Sequence, residues 1–132
     1  MLVVDTSAVV HALLHRPAHP GLLRRIRAEG ELAAPHLIDL EVLHALRGLL
    51  RAGRVTEDQA ADVRTDFADL PLTRYPHAGL SDRIWELRHN LTPYDASFVT
   101  LAEAFRCPLV TSDAMLAKAS GHQADVELYA QP

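Results

Sequence analysis

Four acidic residues stand where a parallel-sheet enzyme places its chemistry. Asp5 ends the short run Leu2-Val3-Val4, and Asp5-Thr6-Ser7 leads into an apolar, helix-like stretch from Ala8 to Leu14. Near the other end, Pro108-Leu109-Val110 is followed in the same way by Thr111-Ser112-Asp113 and a further helix-like segment. Glu41 and Asp95 lie between them, each near the start of a helical segment. Ligands of open α/β sheets bind outside the carboxyl ends of the strands. Carboxylates gathered there repel, and one takes up a proton unless a cation sits between them. Mg²⁺, with Mn²⁺ as a substitute, is the matching hard, oxygen-seeking ion. It binds phosphate oxygens and lowers the pKa of an attacking water, and two such ions can stabilise both oxygens of an in-line displacement. The chemistry expected of Asp5, Glu41, Asp95 and Asp113 is therefore metal-assisted phosphodiester hydrolysis. Hydroxyls at Thr6, Ser7, Thr111 and Ser112 are suited to orienting these carboxylates or holding a water.

Each acid also has an ordinary structural role open to it. Asp5 and Asp113 can cap helices after a strand. Asp95 follows Thr92-Pro93-Tyr94, where Thr92 reads as an N-cap and Pro93 as the first helical residue, so its carboxylate meets the helix dipole. On a helical wheel for 37–52 the core arc holds Ile38, Val42, Ala45, Leu46, Leu49 and Leu50, with Glu41 at its edge and Asp39 inside it in the first turn. Asp39 thus competes with Glu41. In 93–106, Tyr94, Phe98, Leu101 and Phe105 form one stripe, which leaves Asp95 beside the buried seam.

The elements that must position these residues follow from periodicity and punctuation. Strands are expected at 2–5, about 32–34, 71–75, 108–111 and 126–129. Helices are expected at about 7–15, 20–29, 37–52 (closed by Gly53), 56–69 (opened by the capping box Thr56-Glu57-Asp58-Gln59), 78–89, 93–106 and 114–120 (stopped by Gly121). Strands alternating with helices imply an α/β fold with a mainly parallel sheet covered on both faces. No repeat, low-complexity tract or linker divides the 132 residues, so one domain is expected.

Composition supports a globular chain, with 48% hydrophobic and 23% charged residues. No apolar stretch approaches the roughly 20 residues of a membrane span. The N-terminus lacks the basic region of a signal peptide, and the single cysteine, Cys107, excludes an intramolecular disulfide; a cytoplasmic protein is expected. A net charge of −4 is unusual for a protein that binds nucleic acid. Setting the four acids aside, however, leaves 13 acidic residues, level with the 13 lysines and arginines.

Val-Val-Asp-Thr-Ser-Ala-Val at 3–9, Asp-Leu-Glu-Val at 39–42, Thr-Pro-Tyr-Asp-Ala-Ser-Phe at 92–98 and Pro-Leu-Val-Thr-Ser-Asp-Ala-Met-Leu at 108–116 resemble PIN-domain ribonucleases. More closely, the chain resembles VapC toxins of VapBC toxin–antitoxin pairs, from Leu2 to Tyr129. The resemblance implies a three-layer α/β/α sandwich and a Mg²⁺-dependent endoribonuclease. Its acidic quartet matches Asp5, Glu41, Asp95 and Asp113, with Asp5 and Asp95 as the principal metal ligands and Ser7 as a small hydroxyl residue near the site. It further implies a homodimer, a small VapB-like antitoxin that blocks the site, and tRNA or ribosomal RNA as substrate. Arg106-Cys107 departs from the pattern, since a small turn residue such as Gly is commoner there.

Other features admit several readings. His11, His15 and His19 repeat at four-residue spacing, but a zinc site needs three or four converging ligands and no HExxH pattern accompanies them. Arg24, Arg25 and Arg27, with Arg47, Arg51 and Arg54, are either phosphate-steering clusters or solvated helix faces. The face of His11, Leu14, Leu22 and Ile26 could receive an antitoxin helix. Trp85 reads as core or dimer surface, His44 as a polar-face residue within reach of RNA, and Cys107 as a small buried hydrophobe. Competing functions are a structure-specific DNA nuclease, a haloacid-dehalogenase-like phosphatase, a receiver-like module and a non-catalytic RNA- or antitoxin-binding domain. The phosphatase wants a second Asp where Ser7 stands, and the receiver wants paired acids beside Asp5, which are missing.

Overall fold

A computed structural model describes residues 1–14 and 20–130. Its elements alternate as expected: β1 (Leu2–Val4), α1 (Thr6–Leu13), α2 (Pro20–Ala28), β2 (Leu32–Pro35), α3 (Ile38–Arg51), α4 (Glu57–Ala68), β3 (Leu72–Tyr75), α5 (Ser81–Glu86), α6 (Pro93–Phe105), β4 (Leu109–Thr111), α7 (Ala114–Lys118) and β5 (Val126–Leu128). The strands form one sheet in the order β3-β2-β1-β4-β5, and every pairing is parallel.

That order decides where a ligand can sit. From β1 the chain moves outward through β2 to β3, then returns to the opposite side of β1 with β4. The crevice between the ends of β1 and β4 is therefore the topological switch point, the usual ligand position in such sheets. Asp5 follows β1 directly, and Asp113 follows β4 by two residues.

Leu2, Val3 and Val4 are all fully buried although successive side chains point to opposite faces. Both faces of the sheet are therefore covered, which is why its strands read as continuous apolar runs. Helix α1 packs with α2, α3 and α4, while α6 lies across β1, β2 and β4 with α5 beside it. Among the described residues no helix is long and apolar enough to cross a membrane.

Local chemistry sets the helix starts. Thr56 and Gln59 form the reciprocal capping box. The Thr92 hydroxyl accepts the Asp95 N–H, with Pro93 at the first helical position. Gly53 closes α3 at φ 68°.

Several elements differ from the sequence expectation. The helix expected at 78–89 is a 3₁₀ turn, Ala78–Leu80, followed by the short α5. The Ser81 hydroxyl donates to the Ala78 carbonyl, and the chain then leaves α5 so that Asn90 can donate to the Ser120 carbonyl at 2.7 Å. Phe98 and Leu101 are buried, but Tyr94 is exposed and Phe105 lies at the border, meeting the Tyr75 ring edge to face, so the α6 seam is narrower than its stripe. Trp85 is not core but 67% exposed. Arg106 takes the left-handed conformation, φ 52° and ψ 45°, at the end of α6. The face of Leu22 and Ile26 faces the core rather than a partner, and His11 is buried with it. His15 and His19 lie outside the described residues.

Candidate active site

Asp5 sits at the switch point because it caps α1. Its Oδ1 accepts the Ala8 N–H at 2.8 Å and the Ser7 hydroxyl at 2.7 Å, while Oδ2 accepts the Thr111 hydroxyl. The capping role proposed for Asp5 and its placement in the crevice are thus one geometry. Three donors favour the ionised carboxylate, yet burial outweighs them and, with the nearby charge of Asp95, pushes Asp5 up to about 6.

The two hydroxyls that hold Asp5 also tie β1 to β4. Thr111 Oγ1 accepts the Asp113 N–H at 3.0 Å, and Ser7 Oγ accepts the Ser112 N–H at 3.0 Å. Ser7 and Thr111 lie 3.2 Å apart. Asp113 caps α7 through hydrogen bonds from Met115 N and Leu116 N. One hydroxyl therefore connects the carboxylate of Asp5 with the backbone that presents Asp113.

Glu41 enters from the first turn of α3, where its Oε1 accepts the Thr6 hydroxyl at 2.9 Å. Its rival, Asp39, is committed elsewhere: Arg74 from β3 holds both its oxygens, at 2.9 and 2.8 Å. Asp95, in the first turn of α6, is half-buried. Burial raises its carboxyl, and the charges of Asp113 and Glu41 raise it further. Asp95 thus senses Asp113 and Glu41, and Asp5 senses Asp95, so the four acids share one electrostatic neighbourhood.

Five other acids are paired with arginine: Glu29 and Glu127 with Arg25, Asp39 with Arg74, and Glu86 and Glu103 with Arg83. Among the described residues no such ion pair reaches Asp5, Glu41, Asp95 or Asp113. An all-oxygen donor set with uncompensated negative charge suits a hard divalent cation. Among the described residues no three acidic, histidine or cysteine groups close into a metal cage. Mg²⁺ does not require one, since it keeps waters and is commonly held by one or two carboxylates plus substrate phosphates.

A hollow of about 770 Å³ lies at the amino ends of β4 and β5 among Arg83, Glu103, Cys107 and Asp125, and contains none of the four acids. Asp5 and Asp113 lie at the opposite, carboxyl end of the sheet, just past β1 and β4.

The PIN domain family pattern matches residues 2–121. Ribonuclease VapC9 of Mycobacterium tuberculosis is 44% identical over 116 residues, 88% of each chain. Ribonuclease VapC1 of the same organism is 42% identical over 127 residues, 96% of each chain. This chain belongs to the PIN-domain family of VapC ribonucleases. A solved relative, PAE2754 from Pyrobaculum aerophilum, superposes with a TM-score of 0.66 at 30% identity, covering 95% of this chain and 81% of that one. The α/β fold with its parallel central sheet is thus that of a PIN domain.

In this VapC-family chain His11 has a place that the sequence did not reveal. It is buried, with Nδ1 3.1 Å from the Ser112 hydroxyl, directly behind the residues that tie β1 to β4. The available signal was a polar side chain in the otherwise apolar run Ala8 to Leu14. Arg25, for which the sequence left phosphate steering and a solvated helix face both open, instead grips Glu29 and Glu127 and fastens α2 to β5. Arg24, Arg27, Arg47 and Arg51 remain on the exposed surface. Cys107 is only partly buried, packed against the core, and burial pushes its thiol up.

Proposed function

We propose that this protein is the toxin of a toxin–antitoxin pair, an endoribonuclease whose catalytic residues are Asp5, Glu41, Asp95 and Asp113. One observation carries the reading: Asp5 and Glu41 are held by hydroxyls at the switch point and Asp95 lies within the electrostatic reach of Asp5, Glu41 and Asp113, in a chain related to VapC ribonucleases along most of its length. Asp5 and Asp95 are the main metal ligands, with Asp113 and Glu41 completing the set. Mg²⁺, or Mn²⁺ in its place, would supply Lewis acidity and a water of lowered pKa.

The chain's own residues do the rest. The hydroxyls of Ser7 and Thr111 fix both oxygens of Asp5, and Thr6 aims Glu41 toward the same crevice. Burial and the charges of Asp113 and Glu41 raise the carboxyl of Asp95, and a cation placed among these acids would relieve that repulsion, so Asp95 would serve as an ionised ligand.

We further propose that the substrate is tRNA or ribosomal RNA, that a VapB-like antitoxin blocks the crevice, and that the 132 residues form one nuclease domain acting in the cytoplasm as a homodimer. Leu40 and Leu43, 70% and 48% exposed on α3, give such a dimer an apolar contact. The test compares Mg²⁺-dependent cleavage of matched RNA and DNA hairpins by wild type and by Asp5→Asn and Asp95→Asn. RNA cleavage lost in both folded variants is the expected result. Undiminished cleavage in either variant, or preferential DNA cleavage, overturns the reading.

A further inference from the structure

A second hollow, about 330 Å³, opens beside the acidic group and is lined largely by apolar surface, including Leu37, Ile84, Trp85, Pro93 and Tyr94, with Arg88 among its lining residues. It shares its foundations with the acids. Pro93 and Tyr94 immediately precede Asp95 in the first turn of α6, and Leu37 caps the helix that carries Glu41. Consecutive Cα atoms are about 3.8 Å apart, so the Tyr94 wall stands one residue from Asp95.

Two aromatic rings are left outward here, Trp85 at 67% and Tyr94 at 58% exposed. Arg88 holds its guanidinium 4.6 Å from the Trp85 ring centre and donates to the Trp85 carbonyl at 2.9 Å. Unlike Arg25, Arg74 and Arg83, it has no carboxylate partner among the described residues. The hollow therefore offers flat apolar walls and an uncompensated cation. A flat ring with a phosphate attached matches both, and single-stranded RNA presents that pair at every nucleotide. A second copy seated here about a two-fold axis would set Arg88 against Arg88.

We propose that this hollow is a base-binding subsite: an unpaired nucleobase beside the scissile phosphodiester stacks against Trp85 and Tyr94 while Arg88 meets its phosphate. The proposal rests on the endoribonuclease reading and adds which part of the RNA is held. Stacking of this kind tolerates any base. The subsite therefore selects an unstacked nucleotide, in a loop or a single strand, over one locked in a duplex.

Trp85 is the only tryptophan in the chain, so its emission reports the subsite directly. The probe is hexauridylate, compared with an abasic ribose-phosphate strand of equal length and charge, added to wild-type protein in chelator so that nothing is cut. Quenching by hexauridylate and not by the abasic strand is expected, with Trp85→Leu weakening hexauridylate binding about tenfold and Trp85→Phe restoring it. In the cleavage reaction Trp85→Leu raises KM about tenfold at unchanged kcat, as loss of ground-state binding requires. Equal quenching by both strands, no quenching by either, or an emission that shifts with protein concentration alone overturns the proposal. The last result would place a second copy over Trp85. If the nuclease reading alone fails, base-dependent quenching persists without RNA cleavage; if the subsite alone fails, Trp85→Leu cleaves RNA with the wild-type KM.

Discussion

Arg74 and Asp39 form a two-pronged ion pair across 35 positions of sequence, and this pair leaves the neighbouring Glu41 as the first-turn acid of α3 that Arg74 does not hold. Both acids lie in the first turn of α3, and only the one that Arg74 does not hold reaches the Thr6 hydroxyl. Asp39→Asn is expected to cost at most about 1 kcal/mol, because the pair is partly solvated. Its kcat should stay within a factor of two or so of wild type, whereas Glu41→Gln should lower kcat on the order of 100-fold at unchanged stability. Steady-state cleavage together with thermal melting separates the two, and the reverse pattern would move the fourth acid to Asp39.

The buried carboxyl of Asp5 makes stability depend on pH in an unusual direction. Unfolded, Asp5 ionises near 3.8; folded, near 6. Between these values the native state retains a proton that the unfolded chain releases, so stability falls as pH rises from about 4 to above 6. The loss attributable to Asp5 is about 3 kcal/mol at most. Glu29 and Glu103, held low by Arg25 and Arg83, act with the opposite sign. The difference between wild type and Asp5→Asn, melted in chelator across that window, isolates the effect. Mg²⁺ should restore the lost stability above pH 6, since binding requires the carboxylate. A difference independent of pH would contradict this account.

Thr111→Val keeps the shape of the side chain and removes its hydroxyl. Asp5 loses a donor and the Asp113 N–H loses its acceptor. Cleavage should fall about 10–100-fold with a parallel loss of metal affinity. Stability should fall by about 1–3 kcal/mol, the cost of leaving a buried polar group unpaired. Calorimetric titration with Mg²⁺ provides the check: unaltered affinity would show that Thr111 only fills space.

Arg106 carries a left-handed backbone at φ 52°. The conformation is disfavoured for side-chain-bearing residues by about 1–2 kcal/mol and is the position where glycine usually ends a helix. Arg106→Gly is therefore expected to raise stability by about 1 kcal/mol without changing cleavage. A lower melting temperature would mean that the arginine side chain contributes more than its backbone loses.

Much of this architecture was legible because its signals are local. The end of β1 at Asp5, the Thr56 capping box and the Thr92-Pro93 start of α6 are all encoded within four consecutive residues. Each was read correctly from sequence. What was missed depends on partners far along the chain. Nothing near Asp39 announces Arg74, and nothing near His11 announces Ser112. The helix expected at 78–89 fails because Asn90 answers to Ser120, 30 positions away. Nothing near Arg25 announces Glu127, which binds it from the last strand. Trp85 resists a periodicity argument for another reason, since its exposure reflects no requirement of folding.

The hydrogen bond from Thr111 to Asp5 spans 106 positions. A polypeptide still emerging from the ribosome cannot make it until β4 has been synthesised, and until then Asp5 has neither its full set of donors nor Asp113 across from it. The clasp on Asp5 is therefore a property of the nearly finished polypeptide, and no shorter piece of it can hold that carboxylate in the same way.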